Sequence, residues 1–482
     1  MHFRLVFYLV ALLVIFLGLS MLPPLMAALY YEDGSATAFL LSILAASIAG
    51  GSLYFLTRGH HDFYLSHRDG VAIVTLGWLA AALTATLPYL LSGTIPTFTE
   101  AYFEAMSGFT TTGATILRDI ESLPPSILLW RAQTQWLGGM GIIVLSIAIL
   151  PFLGIGGMEL YKAETPSPVV DKLTPRISDT AKALWKIYIS LTALLIVLLL
   201  AGGMPFYDAL CHGFATMPTG GFSPKNASVD HYQSTYIDIL ITIFMLLAGI
   251  NFALHYRLVK GNARRFFTDP ELRVFICLIA AVILLITMDL YRTIYPDIHD
   301  ALRYASFQAV SIITTTGFVT ADYERWPVFS QQVLLFCMFV GGMAGSTGGG
   351  IKIVRLILLA KHCYLEIFRI IHPRAITIVK LGRTPVSQTI MRSIWGFFLL
   401  YMGIYIVGVI ALSALGMDMV SALSAMATSL GNVGPGFGSI GPMDNFAEVP
   451  MIGNWILIFA MLLGRLEIYT IIVLLMPAFW RK

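Results

Sequence analysis

Charged residues are scarce in this chain of 482 residues: they make up 12% of the sequence, while 57% of it is hydrophobic. A soluble domain carries about 25% charged residues, so this composition excludes a soluble protein and predicts a polytopic membrane protein. The net charge of +3 says little about partners. We expect no nucleic-acid partner.

Cysteine is also scarce, and the motifs of membrane-embedded enzymes are missing. The four cysteines lie in or beside apolar segments without CxxC or His-paired spacing, which supports neither a disulfide framework nor a zinc site. An intramembrane protease would need a Ser/His pair, a paired-Asp site or an HExxH motif, and none occurs at the predicted membrane depth. We therefore expect no enzymatic activity, no catalytic residues and no organic cofactor.

Four short stretches rich in threonine and glycine recur along the chain. Two of them end in Thr-Thr-Thr-Gly, at Gly113 and Gly317, and two weaker copies end at Gly220 and Gly434. Their spacing of about 110 residues indicates four degenerate repeats. Each stretch follows an apolar segment of about 12–15 residues, which is too short to cross a bilayer. A segment long enough to cross lies before this short segment, and another lies after the stretch. Each repeat therefore predicts a long helix, a half-helix, a polar loop and a second long helix.

The predicted fold class is an all-α polytopic membrane protein with four helix–half-helix–helix repeats in a pseudo-fourfold arrangement around one pore. The predicted units are 1–58 (two N-terminal transmembrane helices), 71–153 (repeat 1), 184–258 (repeat 2), 272–361 (repeat 3) and 392–479 (repeat 4). The spanning helices are expected at about 5–30, 36–57, 71–93, 126–153, 184–204, 235–258, 272–293, 327–360, 392–415 and 451–478. The half-helices are expected at about 99–110, 207–218, 300–314 and 418–431.

The distribution of Lys and Arg predicts the orientation. With a cytoplasmic N-terminus and half-helices entering from outside, the inner segments hold 23 of the 30 Lys and Arg residues and the outer segments hold five. Cytoplasmic loops carry the excess of these residues, so we expect both termini in the cytoplasm and the four loops open to the outside. The inner links 154–183 and 362–391 are too short for a compact domain, so any regulatory domain is expected on a separate protein. The basic segments 257–273 and 352–392 fit such a partner and anionic membrane lipid equally well.

The four Thr/Gly loops have the composition of a site for a monovalent cation. Non-helical backbone at membrane depth is tolerated only where it is buried in protein or lines a water-filled cavity. Glycine lets successive carbonyls point the same way, and the loops contain no Asp or Glu, which a divalent site would recruit. Four loops around one axis would form a ring of neutral oxygens that replaces the water shell of a monovalent cation. For a single loop, a glycine C-cap explains the motif as well; its recurrence favours the ring.

A glycine-rich stretch at 341–350, here named the glycine loop, interrupts the second long helix of repeat 3. It contains six glycines in ten residues, and each costs a helix about 1 kcal/mol relative to Ala. Close packing of helices through small residues is the alternative interpretation. A phosphate-binding P-loop is excluded because Ile351 separates Gly350 from Lys352 and the context is a membrane helix. We interpret the stretch as a break that faces a cavity and could hold a two-state element.

Few ionisable residues fall inside the predicted spans. Arg465 is expected well inside the last helix, where a charge faces a cavity or pairs with a partner such as Glu467. Arg131 is expected to snorkel to the outer interface, and His212 to pack rather than to relay protons.

Together these patterns resemble the Trk/Ktr/HKT superfamily of potassium transporters, most closely its TrkH/TrkG-type uptake subunits. The resemblance covers essentially the whole chain and is carried by five stretches: Ser107–Gly113, Met217–Ser223, Gly341–Lys352, Gly431–Gly436 and Gly464–Thr470. It implies a K+ selectivity filter, mainly of backbone carbonyls, formed by Thr111, Thr112, Gly113, Pro218, Thr219, Gly220, Thr315, Thr316, Gly317, Asn432, Val433 and Gly434. It also implies a gate below the filter, formed by Gly341, Gly342, Gly345, Ser346, Thr347, Gly348, Gly349, Gly350, Lys352 and Arg465.

The resemblance further implies uptake of potassium across the bacterial inner membrane through a gated, channel-like pore. Glycine rather than serine at position 113 implies a preference for K+, while the departures of the second and fourth loops from Thr-Thr-Thr leave the strictness of selection open. The implied partners are a second copy of the chain, in a homodimer, and a TrkA-like cytosolic nucleotide-binding ring. The alternative is a symporter that couples K+ to H+ or Na+, with Asp289 and Glu467 as candidate carboxylates. Neither is expected at a helix break.

Overall fold

The structure is a computed structural model that describes residues 1–59, 66–148, 177–375, 377–382 and 384–481. The end of the predicted helix at 126–153 and most of the inner link 154–183 lie outside these ranges. The described residues are mostly helical, with one short hairpin of strands β1 (Lys380–Leu381) and β2 (Thr384–Pro385).

The N-terminal unit contains three helices: α1 (Phe3–Ser20), α2 (Leu22–Tyr31) and α3 (Ala36–Thr57). The helix predicted at about 5–30 is divided at Met21, because Pro23 and Pro24 have no amide hydrogen to donate and fit best in the first turn of a new helix. Its two parts still form one apolar span of 29 residues.

In each of the four predicted repeats, a long helix is followed by a half-helix and then by one or two further helices. Repeat 1 contains α4 (His67–Leu91), α5 (Phe98–Phe109) and α6 (Pro125–Ala148). Repeat 2 contains α7 (Ile177–Ala201), α8 (Phe206–Thr216), α9 (Thr235–Gly249) and α10 (Phe252–Val259).

Repeats 3 and 4 follow the same order. After the connecting α11 (Ala263–Phe267), repeat 3 contains α12 (Pro270–Leu290), α13 (Ile298–Ile313), α14 (Val328–Cys337) and α15 (Ile353–Ile371). Repeat 4 contains α16 (Gln388–Ala414), α17 (Met419–Gly431), α18 (Met451–Arg465) and α19 (Ile468–Leu475), followed by α20 (Pro477–Trp480). Within the described ranges, short 3-10 helices lie in the connections at Ser228–Tyr232, Tyr323–Arg325, Gly438–Ile440 and Phe446–Glu448.

Three of the predicted second long helices are broken, and only the break in repeat 3 was expected. The continuous helix predicted at 235–258 is wrong: α9 and α10 meet at an angle of 101°. There the Asn251 side chain accepts a hydrogen bond from the amide of Ala253 (2.8 Å) and caps the new helix. The continuous helix predicted at 451–478 is also wrong, since α18 and α19 meet at 117° around Glu467, whose φ is +65°.

The described residues contain six helices long and apolar enough to cross a membrane, or eight if each bent pair counts as one span. The half-helices α5, α8, α13 and α17 lie inside this bundle, and the C-terminal half of each is largely buried. Their C-terminal ends bring the four Thr/Gly loops together.

Candidate functional site

Each half-helix ends in the same backbone turn. The turn begins with a non-glycine residue of positive φ and contains a glycine of positive φ two positions later. The four pairs are Thr111 and Gly113, Thr219 and Gly221, Thr315 and Gly317, and Asn432 and Gly434. The residue between each pair donates its amide hydrogen to a carbonyl five positions earlier, at 2.8–2.9 Å, in all four loops: Thr112 to Ser107, Gly220 to Ala215, Thr316 to Ser311 and Val433 to Thr428.

The second loop differs by one residue from the register that the alignment of the four Thr/Gly stretches predicts. Gly221, not Gly220, is the structural equivalent of Gly113, and Gly220 takes the place of Thr112. The reason is one additional residue between the end of α8 at Thr216 and the turn. Pro218 consequently lies ahead of the turn and packs against Gly139 of α6.

The four loops form a closed ring in chain order. A Cβ atom on the positive-φ glycine of each loop would lie within 3 Å of a carbonyl oxygen of the next loop. The contacts run from Gly113 to Gly220, from Gly221 to Thr316, from Gly317 to Val433 and from Gly434 to Thr112. Only glycine permits both this close approach and the positive φ.

The carbonyl oxygens of this ring are buried and mostly without hydrogen-bond donors. Within the part of the chain that the structure describes, no hydrogen bond reaches the carbonyls of Thr111, Thr112, Thr219, Thr315, Thr316, Asn432 and Val433. The carbonyl of Gly220 is the exception, since it accepts from Gln135 of α6 (2.6 Å). Buried carbonyls are normally paired, because an unpaired one costs free energy. A ring of unpaired carbonyls is therefore suited to a desolvated cation.

The side chains of the loops are chemically uneven, as their sequences predict. In loops 1 and 3 a pair of threonine hydroxyls, Thr110 with Thr112 and Thr314 with Thr316, lies 2.8 Å apart. In loop 4 the Asn432 amide instead donates to the hydroxyl of Thr112 (3.0 Å) and to the carbonyl of Met461 (2.9 Å). The ring thus has one backbone geometry and different side-chain supports.

A buried ion pair supports the first two loops from behind. Arg131 of α6 is 2% exposed and lies 2.5 Å from the fully buried Glu104 of α5, so the prediction that Arg131 reaches the outer interface is wrong. Glu104 also accepts from the amide of Ile116 (3.1 Å), beyond loop 1. Arg131 donates to the carbonyl of Ser223 (3.1 Å), beyond loop 2, and stacks on Phe222. The pair therefore links the two loops.

The glycine loop runs between α14 and α15 and is held by hydrogen bonds at its base, to the break between α9 and α10, and within the loop. Its first residue, Gly341, donates to the carbonyl of Ile351 (2.9 Å), which closes the base of the loop. The break between α9 and α10 provides two contacts: Met343 donates to Gly249 (2.9 Å), and Gly345 accepts from Phe252 (3.1 Å). Three further bonds are internal or local: Ser346 Oγ to the carbonyl of Met343, the amide of Ile353 to the carbonyl of Gly342, and Lys352 Nζ to the carbonyl of Gly348. Gly350 has a positive φ and returns the chain toward α15.

Thr347 occupies the centre of the glycine loop and meets Arg465. Its carbonyl accepts from Arg465 Nη1 at 2.6 Å, and a longer contact of 3.4 Å joins Arg465 Nη2 to the carbonyl of Gly138. The hydroxyl of Thr347 donates to the carbonyl of Met217 (3.0 Å), just before loop 2. Arg465 is 3% exposed and lies at the end of α18, not well inside a continuous helix as predicted.

Glu467 is the partner of Arg355 rather than of Arg465. Its carboxylate lies 2.6 Å from Arg355 Nη2, and Arg355 also stacks on Phe397. The expectation that Glu467 avoids a helix break is wrong, because this residue forms the break between α18 and α19. Asp289, the other candidate carboxylate, accepts from the hydroxyl (2.6 Å) and the amide (3.2 Å) of Ser330.

Glu271, which the sequence analysis did not single out, is a buried anchor of the glycine loop. It lies in the first turn of α12 and accepts with Oε1 from the amides of Ala344 (2.8 Å) and Val354 (3.2 Å). In the sequence it reads as an ordinary acidic residue at a helix N-terminus, a favourable position next to the helix dipole. Only the fold reveals its two partners.

The remaining polar groups of the described residues are not arranged like the side-chain clusters that bind metal ions. No group of three or more His, Cys, Asp or Glu residues suited to a metal ion occurs among the described residues. His212 is fully buried, contacting the carbonyl of Asp208 (2.8 Å) and the hydroxyl of Ser223 (3.2 Å), and so acts in packing and support. The arrangement can therefore hold a desolvated monovalent cation at a carbonyl ring, with the glycine loop next to it.

Comparison with known proteins gives consistent matches over the chain. The model of the TrkH family, described as a cation transport protein, matches residues 35–482. The Trk system potassium uptake protein TrkH of Salmonella typhimurium is 43% identical over 100% of both chains, and TrkG of Escherichia coli is 36% identical over 100% of this chain and 99% of its own. The crystal structure of the potassium transporter TrkH from Vibrio parahaemolyticus superposes with a TM-score of 0.92 at 40% identity and covers 100% of both chains.

Proposed function

Because this chain belongs to the TrkH family of cation transport proteins, we propose that it carries potassium ions across the bacterial inner membrane through a gated, channel-like pore. The predicted family resemblance and the predicted all-α polytopic fold are confirmed. The chain is a membrane protein with several spanning helices.

One observation carries this proposal: the ring of buried carbonyl oxygens, most of which accept no hydrogen bond from the described residues. Carbonyl rings select K+ by replacing its hydration shell without introducing charge. In the proposed filter the ion contacts the loops at Thr111–Gly113, Thr219–Gly221, Thr315–Gly317 and Asn432–Gly434. Gly221 thus replaces Pro218 in the set of filter residues that the family resemblance implies.

The glycine loop is the proposed gate. Its centre at Thr347 contacts Arg465, and its next residues approach loop 3, with the carbonyl of Thr314 3.1 Å from the position of a Cβ on Gly348. A loop without helix of its own, held mainly by single hydrogen bonds, can move without unfolding a helix. Arg465 adds a fixed positive charge, which raises the barrier for a cation in the closed position.

The candidate carboxylates favour uncoupled conduction over symport. Asp289 is bound to Ser330, and Glu467 is paired with Arg355, so each is occupied by a protein partner. A coupled transporter would instead need an ionisable group available to the second ion. The proposed regulation is by a cytosolic nucleotide-binding ring of the TrkA type on a homodimer of this chain, with both termini in the cytoplasm.

The test is ion flux through the purified protein in liposomes. We expect uptake of K+ and its congener Rb+ far above that of Na+, driven by the K+ gradient alone. Gly113→Ser should lower the ratio of K+ to Na+ flux, and Arg465→Ala should raise the flux. Uptake that requires an imposed H+ or Na+ gradient would replace this proposal with the symporter.

A further inference from the structure

A single side-chain hydrogen bond joins loop 3 directly to the glycine loop. The amide of Gly349 donates to Oγ1 of Thr315 at 2.7 Å, and both residues are buried. Thr315 is the positive-φ residue of its turn, and its own carbonyl belongs to the ring. The same residue therefore presents an oxygen to the ion and another to the glycine loop.

The three equivalent residues make no such contact. The hydroxyl of Thr111 has no hydrogen-bond partner among the described residues. The hydroxyl of Thr219 donates to the carbonyl of Pro218, in its own loop. The side-chain amide of Asn432 donates to the hydroxyl of Thr112 and to the carbonyl of Met461. The link is thus particular to repeat 3, which also contains the glycine loop.

We propose that Thr315 is a positioning residue that couples the filter to the gate. Its hydroxyl holds the glycine loop in the closed position, and the closed glycine loop in turn stabilises the backbone conformation of loop 3. This inference rests on the proposed function. When the glycine loop moves out of the closed position, the hydrogen bond from the amide of Gly349 to the hydroxyl of Thr315 breaks. The positive-φ backbone at Thr315 then loses one of the contacts that stabilise it.

The coupling must act in both directions. If the position of the loop changes the affinity of the filter for an ion, the ion changes the position of the loop by the same factor. An occupied filter keeps Thr315 in its turn and so stabilises the closed loop. Couplings between two sites in proteins typically amount to about 5- to 150-fold.

The test compares Thr315→Val with Thr111→Val, because both remove one hydroxyl from equivalent turns without changing the volume of the side chain. Hydrogen–deuterium exchange of the segment 341–351 measures how often the glycine loop opens. It is measured in the full-length protein, once in K+ and once with N-methylglucamine as the only monovalent cation. Flux of K+ in liposomes reports on the gate. Thr315→Ser, which keeps the acceptor, serves as the conservative rescue.

We expect exchange in 341–351 and K+ flux to be at least about fivefold higher in Thr315→Val than in Thr111→Val, with Thr315→Ser recovering most of the difference. In the unaltered protein, K+ should slow the exchange of this segment relative to N-methylglucamine, and Thr315→Val should abolish that protection. Equal exchange in the two valine variants, or an unaltered protein indifferent to K+, would overturn the coupling. Absence of K+ flux in the unaltered protein would instead refute the proposed function, while the exchange comparison would still decide the link.

Discussion

Replacement of Arg465 by methionine should open the proposed gate. Methionine keeps much of the volume of arginine but removes the charge and both donors, so the carbonyl of Thr347 loses the contact of 2.6 Å that holds the centre of the glycine loop. The ion pairs of the described residues do not include Arg465, so its removal leaves no buried carboxylate unpaired. We therefore expect the fold to persist.

The size of the expected change in the closed–open equilibrium follows from the hydrogen bonds that the substitution removes. A hydrogen bond from a charged donor contributes about 1.5–3 kcal/mol, and the contact of 3.4 Å to Gly138 adds little. Since 1.4 kcal/mol is a factor of ten, the closed position should become about 10- to 150-fold less favourable. The K+ flux in liposomes should rise by up to that factor, limited by the conductance of the open pore.

Two further variants separate the causes. Arg303→Met removes an arginine near the start of α13 that pairs with Asp238 at 3.6 Å, away from the glycine loop, and should leave the flux unchanged. Arg465→Lys keeps the charge but loses the planar pair of donors, so it should give an intermediate flux. A methionine variant that conducts no faster than the unaltered protein would refute the assignment of Arg465 to the closed gate. A lysine variant equal to the unaltered protein would assign the effect to charge alone.

Three other variants test neighbouring features. Glu271→Ala leaves the amides of Ala344 and Val354 without their acceptor, so K+ flux in liposomes should rise at an unchanged ratio of K+ to Na+ flux. Asp238→Ala, at a buried carboxylate in the first turn of α9, should leave the K+ flux unchanged. Gly221→Ala places a Cβ within 3 Å of the carbonyl of Thr316 and should lower the K+ to Na+ ratio. Gly416→Ala, at a φ of +97° compared with +78° at Gly221 and with no atom within 4 Å of the new Cβ, should leave that ratio intact. Equal effects of the two changes would contradict the ring contact. Glu104→Ala leaves Arg131 buried and unpaired and should lower stability by about 3–5 kcal/mol, seen as a lower thermal unfolding temperature in detergent. The double change Glu104→Gln with Arg131→Met should cost less, and a double variant as unstable as the single one would contradict the pairing.

The half-helices were predicted to within a few residues because their limits are local properties. A segment expected at about 418–431 is observed as Met419–Gly431, since the apolar run and the glycine after it can both be read directly from the chain. The breaks in the second long helices of repeats 2 and 4 were missed because they depend on contacts distant in the sequence. The backbone at Gly249 is stabilised by the amide of Met343, almost a hundred positions later, and no local pattern announces that contact.

The register of loop 2 illustrates the same limit at the scale of one residue. The alignment of the Thr/Gly stretches pairs Gly220 with Gly113, but the amide of Gly220 donates to the carbonyl of Ala215 and so takes the place of Thr112. Two adjacent glycines make both registers possible in the sequence. The ring selects one, because only Gly221 then lies against the carbonyl of Thr316.

The sequence by itself determined the class of protein, the four loops and the chemistry of their oxygens, because hydrophobic length, composition and repetition act along the chain. The tertiary structure decided the partners: Glu104 for Arg131, Arg355 for Glu467, the carbonyl of Thr347 for Arg465 and the amide of Gly349 for Thr315. In an apolar interior a buried charge or amide must find a partner wherever the fold offers one. That partner lies 27 to 118 positions away in these four contacts, so it was settled only when the helices packed.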